Sequence, residues 1–136
     1  MKVLVCGGRD YPSRANVFRY LDDLQRRLGG LISHVITGGA TGADAHAEAW
    51  GEQHNVQVVI CPANWNVNGR AAGPMRNSRM LQLLAKAQDD KGLTTSDIVV
   101  AFAGDKGTRD MTTKARAAGF TVLEPDAPQP AKEIPL

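Results

Sequence analysis

Apolar residues follow two different periods along this chain, and the two periods alternate. Short, continuous apolar runs of the kind that form buried strands cover residues 2–6, 32–37, 56–61, 97–103 and 120–123. Between them, apolar residues recur at helical spacing over residues 13–28, 41–54, 74–86 and 108–118. A chain that alternates strands with helices builds a parallel sheet with right-handed crossovers. The pattern therefore predicts an α/β, Rossmann-like single domain with helices on both faces of the sheet.

Turn residues and composition set the limits of the predicted domain. The Gly29-Gly30 pair ends the first helix, and Pro74 lies in the first turn of the third helix. Residues 88–96 form a polar connector. The predicted domain covers residues 1–123, and the proline-rich segment 124–136 is expected to be a disordered or draped tail.

Charge and cysteine usage exclude several classes of protein. The net charge is only +2, and Arg70, Arg76 and Arg79 fall close together, which favours a local anion site over a broad duplex-DNA face. No apolar stretch approaches the ~20 residues of a membrane span, and the N-terminus has no signal-peptide pattern, so the cytoplasm is the expected compartment. Cys6 and Cys61 end two strands that a third should separate, and we expect them to be reduced.

Polar residues are concentrated in the loops that follow the strands. Ligands of parallel α/β sheets bind beyond the carboxyl ends of the strands, where the strand order reverses. This loading and the strand–helix alternation predict the strand order 3-2-1-4-5. The predicted ligand-binding residues are Gly7, Gly8, Arg9, Asp10, Gly38, Gly39, Thr41, Gly42, Asp44, Arg76, Asn77, Gly104, Lys106, Gly107 and Thr108.

Each kind of group in these loops has a chemical use. Glycine-rich turns before a helix present N–H groups to phosphate, and Lys106, Arg76 and Arg79 add positive charge. A base needs a flat surface, which Tyr11 or Trp65 could provide. Neither metal-ligand spacing nor a cofactor motif is found, so no metal and no cofactor are predicted.

Several of these residues also have a purely structural interpretation. Thr41 and Asp44 are suitable caps for the second helix, and Asp110 is suited to complement the dipole of the fourth. Arg9 can pair with a neighbouring aspartate, and Trp50 is expected in the core or in an interface. The residues taken one at a time leave these alternatives open.

Four motifs in order resemble one family. The opening VLVCGGRDY, the turn TGGATGADAHAEAW, the helix start GPMRNSRM and the segment AGDKGTRD are together similar to the SLOG superfamily. The resemblance is to its small YspA-type, YpsA-related proteins, covers about residues 1–123, and extends distantly to the Lonely Guy phosphoribohydrolases. It implies a Rossmann-like sheet that binds nucleotides or nucleotide-derived ligands.

The Lonely Guy enzymes cleave the bond between base and ribose with an arginine and a glutamate. By the resemblance, the arginine falls on Arg76, and the glutamate of their PGGxGTxxE motif has its nearest acidic counterpart in Asp110, because Met111 and Thr112 follow. The PGG element is replaced by Ala103-Gly104-Asp105. Arg76 and Asp110 are therefore the candidate catalytic pair, and the departures favour binding over hydrolysis.

Three functions remain open at this point. The first is a sensor or carrier that binds a nucleotide or an ADP-ribose-like ligand without turnover. The second is a nucleotide N-glycosidase, which needs a carboxylate near the anomeric carbon; Asp10, Asp44 and Asp110 are the candidates. The third and weakest is binding of single-stranded nucleic acid, since aromatic residues are few and the charge is near neutral. The predicted partners are a nucleotide-like small molecule and a second copy of the chain, with no membrane and no nucleic acid.

Overall fold

Five parallel strands form one sheet. The computed structural model describes residues 1–85 and 97–127, so the predicted connector 88–96 and the tail beyond residue 127 lie outside the described residues. The strands are β1 (Lys2–Cys6), β2 (His34–Thr37), β3 (Gln57–Ile60), β4 (Ile98–Ala101) and β5 (Thr121–Leu123). Their order is β3-β2-β1-β4-β5, and every pairing is parallel. The predicted fold class and strand order are confirmed.

The helices agree with the sequence pattern except near two of the loops. They are α1 (Arg14–Arg27), α2 (Ala43–Gln53), α3 (Trp65–Asn68), α4 (Ala72–Ala85) and α5 (Lys106–Ala117), with a 3-10 turn at Gly69–Ala71. Helix α3 was not predicted, because one helical turn is too short to show an apolar period. Helices α4 and α5 each begin two residues earlier than predicted.

Alternate residues of each central strand face different layers of the core. Val3 and Val5 of β1 pack in a cluster with the apolar residues of α1 and α2. Leu4 and Cys6 point the other way, into a second cluster with α4 and α5. Strand β4 is buried along its whole length, as predicted for a strand with both faces covered. The helices therefore lie on both faces of the sheet.

The two cysteines and Trp50 are located as predicted. Cys6 and Cys61 are free and buried, and β2 separates the strands that carry or precede them. Trp50 is fully buried, and its indole N–H donates to Asp22 at 2.9 Å. These residues therefore serve the core.

The first residues beyond the predicted domain boundary contact the sheet edge. Asp126 accepts hydrogen bonds from the Tyr11 hydroxyl at 3.1 Å and from the Ala103 backbone N–H at 2.9 Å. Arg116 pairs with Glu124 at 2.6 Å. The start of the tail is thus draped over the domain, while the boundary at residue 123 stays a prediction.

Asp97 is a buried carboxylate at the amino-terminal end of β4. It is 3% exposed, and among the described residues neither of its oxygens has a hydrogen-bond partner. Burial raises the pKa of Asp97, while the positive N-terminus and Lys2 oppose the shift. An ionised group in this position costs folding free energy because desolvation is not compensated by hydrogen bonds.

Replacing Asp97 with asparagine is expected to raise the free energy of unfolding at pH 7.5 by about 1 kcal/mol, since it removes a buried charge. A carboxyl whose pKa is raised on folding stabilises the native state less as the pH rises from its unfolded pKa to its folded pKa. The gain should therefore shrink as the pH is lowered through that window. Urea unfolding at pH 4 and 7.5 measures both effects, with the exposed Glu52→Gln as a control. A loss of stability in D97N at pH 7.5 contradicts this account.

Candidate functional site

A cavity of about 420 Å³ lies at the carboxyl ends of the central strands. It is formed where the loops after β1, β2 and β4 meet the start of α4, which is the point where the strand order reverses. Nine of the predicted site residues line it: Gly7, Arg9, Asp44, Arg76, Asn77, Lys106, Gly107, Thr108 and Asp110. Three loops that are far apart in sequence therefore contribute to one cavity.

The remaining predicted residues lie in the same loops but do not line the cavity: Gly8, Asp10, Gly38, Gly39, Thr41, Gly42 and Gly104. Several of them join the loops to each other. The Gly8 N–H donates to Ala103 O at 2.9 Å, and its carbonyl accepts from Ala43 N at 3.2 Å. Thr41 Oγ1 donates to Arg9 O at 2.8 Å. These hydrogen bonds join the loops after β1, β2 and β4 to one another.

Two of those glycines are required by close approach of the backbone. Gly42 has φ +71°, and a Cβ there would overlap the Gly8 carbonyl oxygen and lie 2.6 Å from Arg9 C. A Cβ on Gly104 would lie 2.8 Å from Gly8 N and would overlap Thr108 Oγ1. The three loops are packed backbone against backbone, so side chains at these positions would push them apart.

Asp44 is bound to the glycine-rich turn in front of its own helix. Its Oδ2 accepts from Gly38 N at 3.0 Å and from Ala40 N at 3.2 Å, and the residue is 5% exposed. Burial raises the pKa of Asp44 to about 6, although these two hydrogen bonds and the nearby Arg76 oppose the shift. The idea that Thr41 and Asp44 cap α2 is wrong: the N-cap is Gly42, which has no side-chain hydrogen bond.

This arrangement also changes the predicted role of the glycine-rich turn. The sequence suggests that N–H groups between Gly38 and Gly42 bind a phosphate. Two of those N–H groups, of Gly38 and Ala40, instead donate hydrogen bonds to the Asp44 carboxylate. A carboxylate of the chain itself therefore occupies the anion position of this turn.

Arg76 joins the start of α4 to the same turn. Its Nη1 donates to Gly38 O at 2.9 Å, and its Nε donates to Asn77 Oδ1 at 3.1 Å. A Cβ on Gly38 would overlap the guanidinium and would lie 3.1 Å from Asp44 Oδ2. Gly38 is therefore squeezed between the arginine and the aspartate, and Arg76 presents its remaining N–H groups from a fixed position in the cavity wall.

Asp110 lies on the other side of the Asn77 side chain from Arg76 and is already paired. Its Oδ2 is 2.9 Å from Lys114 Nζ and accepts from Asn77 Nδ2 at 3.0 Å. Asn77 is 3% exposed, and its Nδ2 also donates to Gly107 O at 3.1 Å. Asp110 belongs to the second turn of α5, so it does not cap that helix; Asp105 does, by accepting from Gly107 N at 3.3 Å.

The first turn of α5 contributes one lysine and the start of a helix to the cavity wall. Lys106, Gly107 and Thr108 line the cavity and are the first three residues of the helix. The first N–H groups of a helix have no partner within it and carry the positive end of its dipole. Anions bind readily at such helix ends.

One aromatic side chain lies at the rim. Trp65 on α3 is 48% exposed, and the Arg9 guanidinium lies 5.3 Å from the centre of its ring. Tyr11, the other residue considered for stacking, does not have this role: it is buried against Phe102, with 5.3 Å between the ring centres. The pairing of Arg9 with a neighbouring aspartate is not what the structure shows, since its guanidinium lies over an indole.

Sequence reasoning missed six residues of the lining: Cys6, Ala40, Gly73, Pro74, Met80 and Asp105. Trp65 and Arg70 also line the cavity; the sequence had indicated the first as a stacking residue and the second as a member of an arginine cluster suited to an anion. Most of the missed residues are small or apolar and carry no signal in the sequence, because only the fold brings them to the cavity.

Three further features concern other kinds of site: a second depression, metal binding and membrane insertion. A second depression of about 940 Å³ lies beside α1; eight residues of that helix line it, together with Phe102, Pro125 and Asp126. Residues 1–85 and 97–127 contain no group of three or more His, Cys, Asp or Glu side chains that could hold a metal ion. Over the same ranges, none of the helices has both the length and the apolar character needed to span a membrane.

Comparison with known proteins assigns the chain to a family. Residues 1–67 match the YAcAr family, described as the YspA, cpYpsA-related SLOG family. The chain is also 35% identical over 130 residues to the Gene 61 protein of Mycobacterium phage D29, covering 90% of this chain and 94% of that protein. The matched region includes the turns after β1 and β2, which form one side of the cavity.

Proposed function

The chain belongs to the YspA, cpYpsA-related SLOG family, and from this premise we propose that it binds a nucleotide or a nucleotide-derived ligand as a sensor or carrier. The observation that carries the proposal is the cavity where the strand order reverses. Its volume of about 420 Å³ suits a small ligand, since ligand pockets of proteins measure roughly 300–1,000 Å³. The buried, reduced cysteines fit our proposal of a cytoplasmic protein.

The charges in the cavity support a ligand with one anionic end. Lys106 and the first N–H groups of α5 lie on one side, and Arg70 and Arg9 lie on the same rim as Trp65. Charge-assisted hydrogen bonds to phosphate are stronger than neutral ones, and a helix start adds its dipole. We place the phosphate at α5 and the base near Trp65.

Hydrolysis of the base–ribose bond is the second candidate, favoured by one observation. Asp110, the counterpart of the glutamate of the Lonely Guy motif, lines the cavity beside Asn77. Its pairing with Lys114 ties up the carboxylate that a positively charged sugar intermediate would need. Binding without turnover therefore remains our first proposal.

The direct test is to identify what the protein retains. The purified chain is denatured, and the released small molecules are identified by mass spectrometry. Calorimetry against nucleoside monophosphates and ADP-ribose then measures affinity. The proposal is contradicted if no nucleotide is released from the protein and none binds in calorimetry. Size-exclusion chromatography with light scattering tests the predicted homodimer in the same samples.

Replacing Arg76 with alanine is expected to weaken nucleotide binding by ~1.5–3 kcal/mol, the range for hydrogen bonds to charged groups. The side chain lines the cavity and is held there by Gly38 O and Asn77. Arg79→Ala is the matched control, since Arg79 is exposed one turn further along α4 and contacts Cys61 Sγ at 4.0 Å instead of lining the cavity. Equal affinities of R76A and the wild type by calorimetry remove Arg76 from the site.

A further inference from the structure

We propose that Asp44 determines specificity: it accepts hydrogen bonds from the hydroxyl groups of the bound sugar and excludes any ligand that places a second anionic group beside the Gly38–Ala40 turn. The inference rests on the proposed nucleotide binding and adds to it the charge distribution of the ligand. The preferred class is a phosphate monoester whose only phosphate lies at α5.

The contacts of Asp44 carry this inference. The carboxylate lines the cavity although it is 5% exposed, and it takes two N–H groups of the glycine-rich turn on Oδ2. An ionised carboxylate offers about four lone-pair sites, so it retains acceptor capacity for ligand hydroxyls after these two bonds. A phosphate at this turn would have to displace the carboxylate from both N–H groups.

Electrostatics act in the same direction. A carboxylate and a phosphate at contact distance in a partly buried site repel each other, and unpaired like charges are an effective means of rejecting a ligand. The charged or titratable groups facing Asp44 are Arg76 from α4, Glu48 from α2 and Cys6 from β1. Only Arg76 is cationic, and its Nη1 already donates a hydrogen bond to Gly38 O.

The two ends of the cavity therefore differ in the charge they accept. The α5 end offers Lys106 and the start of a helix, where, among the described residues, the Asp105 carboxylate accepts from the Gly107 N–H only. The α2 end presents a carboxylate whose partners are N–H groups of its own turn. A ribose has neutral hydroxyl donors, which suit the α2 end, whereas a ribose carrying an additional phosphate does not.

The first experiment compares AMP with adenosine 3′,5′-bisphosphate by calorimetry. The wild type is expected to bind the bisphosphate at least ~10-fold more weakly than AMP, because the second phosphate meets the Asp44 carboxylate. In Asp44→Asn the ratio should fall at least ~10-fold, since the amide oxygen can still accept both N–H groups but the charge is gone. Equal binding of both nucleotides by the wild type, or an unchanged ratio in D44N, overturns the inference.

Glu48→Gln is the matched control. Glu48 lies one turn after Asp44 on α2, and its carboxylate accepts from the Thr37 hydroxyl at 2.7 Å. The substitution removes the same unit of charge as D44N and keeps an acceptor for that hydroxyl. It does not line the cavity described here. The ratio of the two affinities should stay within ~2-fold of the wild type in E48Q, and a shift as large as that in D44N would show a general charge effect and overturn the inference.

The second experiment separates this inference from the proposed function, because it needs no nucleotide. Sulfate is titrated into the ¹⁵N-labelled protein at pH 7.5, and the amide signals are followed by NMR. Signals of Lys106 and Thr108 should shift, and those of Gly38 and Ala40 should not. In D44N the Gly38 and Ala40 signals should respond, because a neutral amide oxygen holds the two N–H groups less tightly than a carboxylate and does not repel sulfate. Should AMP not bind, the proposed function fails and this titration still decides the role of Asp44. Wild-type shifts at Gly38 and Ala40 equal to those at α5, or no response in D44N, overturn it.

Wild-type protein at low pH replaces D44N if that variant does not fold. Sulfate does not change charge between pH 5 and pH 7.5, whereas burial raises the pKa of Asp44 to about 6. Protonation therefore removes the same charge without a mutation. Gly38 and Ala40 should respond to sulfate at pH 5, and their silence at both pH values contradicts the inference.

Discussion

Replacing Gly42 with alanine is expected to lower the free energy of unfolding by about 3 kcal/mol, as the sum of two costs. The backbone of Gly42 has φ +71°, a conformation in which a Cβ costs roughly 1–2 kcal/mol. The added methyl group would also overlap the Gly8 carbonyl oxygen and lie 2.6 Å from Arg9 O. Inserting a carbon into such a contact typically costs about 1–3 kcal/mol, because both backbones must move.

Gly119→Ala is the matched control for this prediction. Gly119 also has a positive φ, +87°, but nothing lies within 4 Å of a Cβ built there. It should cost only the conformational part, about 1–2 kcal/mol. Urea unfolding of both variants separates the two contributions. Equal losses in G42A and G119A would show that the approach of the first two loops is not tight, and the structure of the cavity wall would have to be revised.

The second large effect concerns catalysis. We expect the wild type to bind a nucleotide and release no free base from it, because the Asp110 carboxylate is held by Lys114 at 2.9 Å and by Asn77 at 3.0 Å. An oxocarbenium-like state requires a carboxylate whose charge is available to the sugar. The assay incubates the protein with nucleoside monophosphates, ADP-ribose and NAD, and separates free base by chromatography.

Base release by the wild type would reverse our order of proposals, and Asp110→Asn then identifies the catalytic group. The amide keeps the size and can still accept from Asn77, but it lacks the charge. Hydrolysis should fall ~10²-fold or more with binding largely intact. Glu52→Gln is the control: the residue is exposed on α2 and does not line the cavity, so this variant should retain most of the activity. An active D110N variant would exclude Asp110 as the carboxylate that stabilises the oxocarbenium-like state.

The local pattern of the sequence was sufficient for the fold. The run 97–103 predicted a buried strand. Strand β4 is buried because β1 and β5 flank it within the sheet and helices cover both of its faces. The four glycine-rich or polar loops predicted which edge of the sheet carries the cavity. Such features are encoded in short stretches, since burial selects apolar residues and turns select glycine.

Partners within the site could not be predicted from the sequence. Asp44 reads as a helix cap, but its oxygen is bound to Gly38 and Ala40 because the turn folds back over the helix start. The position of Tyr11 in the sequence indicates a stacking surface, but its side chain is buried in the core beside Phe102. A polar or aromatic side chain has several partners within reach, and only the packing of distant segments selects one.

The sequence by itself thus determined the order of strands and helices, the edge of the sheet where the polar loops lie, and the reduced state of the cysteines. Each of these depends on residue type and local period. Tertiary structure decided which loops touch. Gly8 meets both Ala43 and Ala103 across stretches of 35 and 95 residues, taking the difference of the residue numbers. The pairing of Asp110 with Asn77 likewise joins α5 to α4. Contacts between segments so far apart depend on the three-dimensional path of the chain, and no local pattern records them.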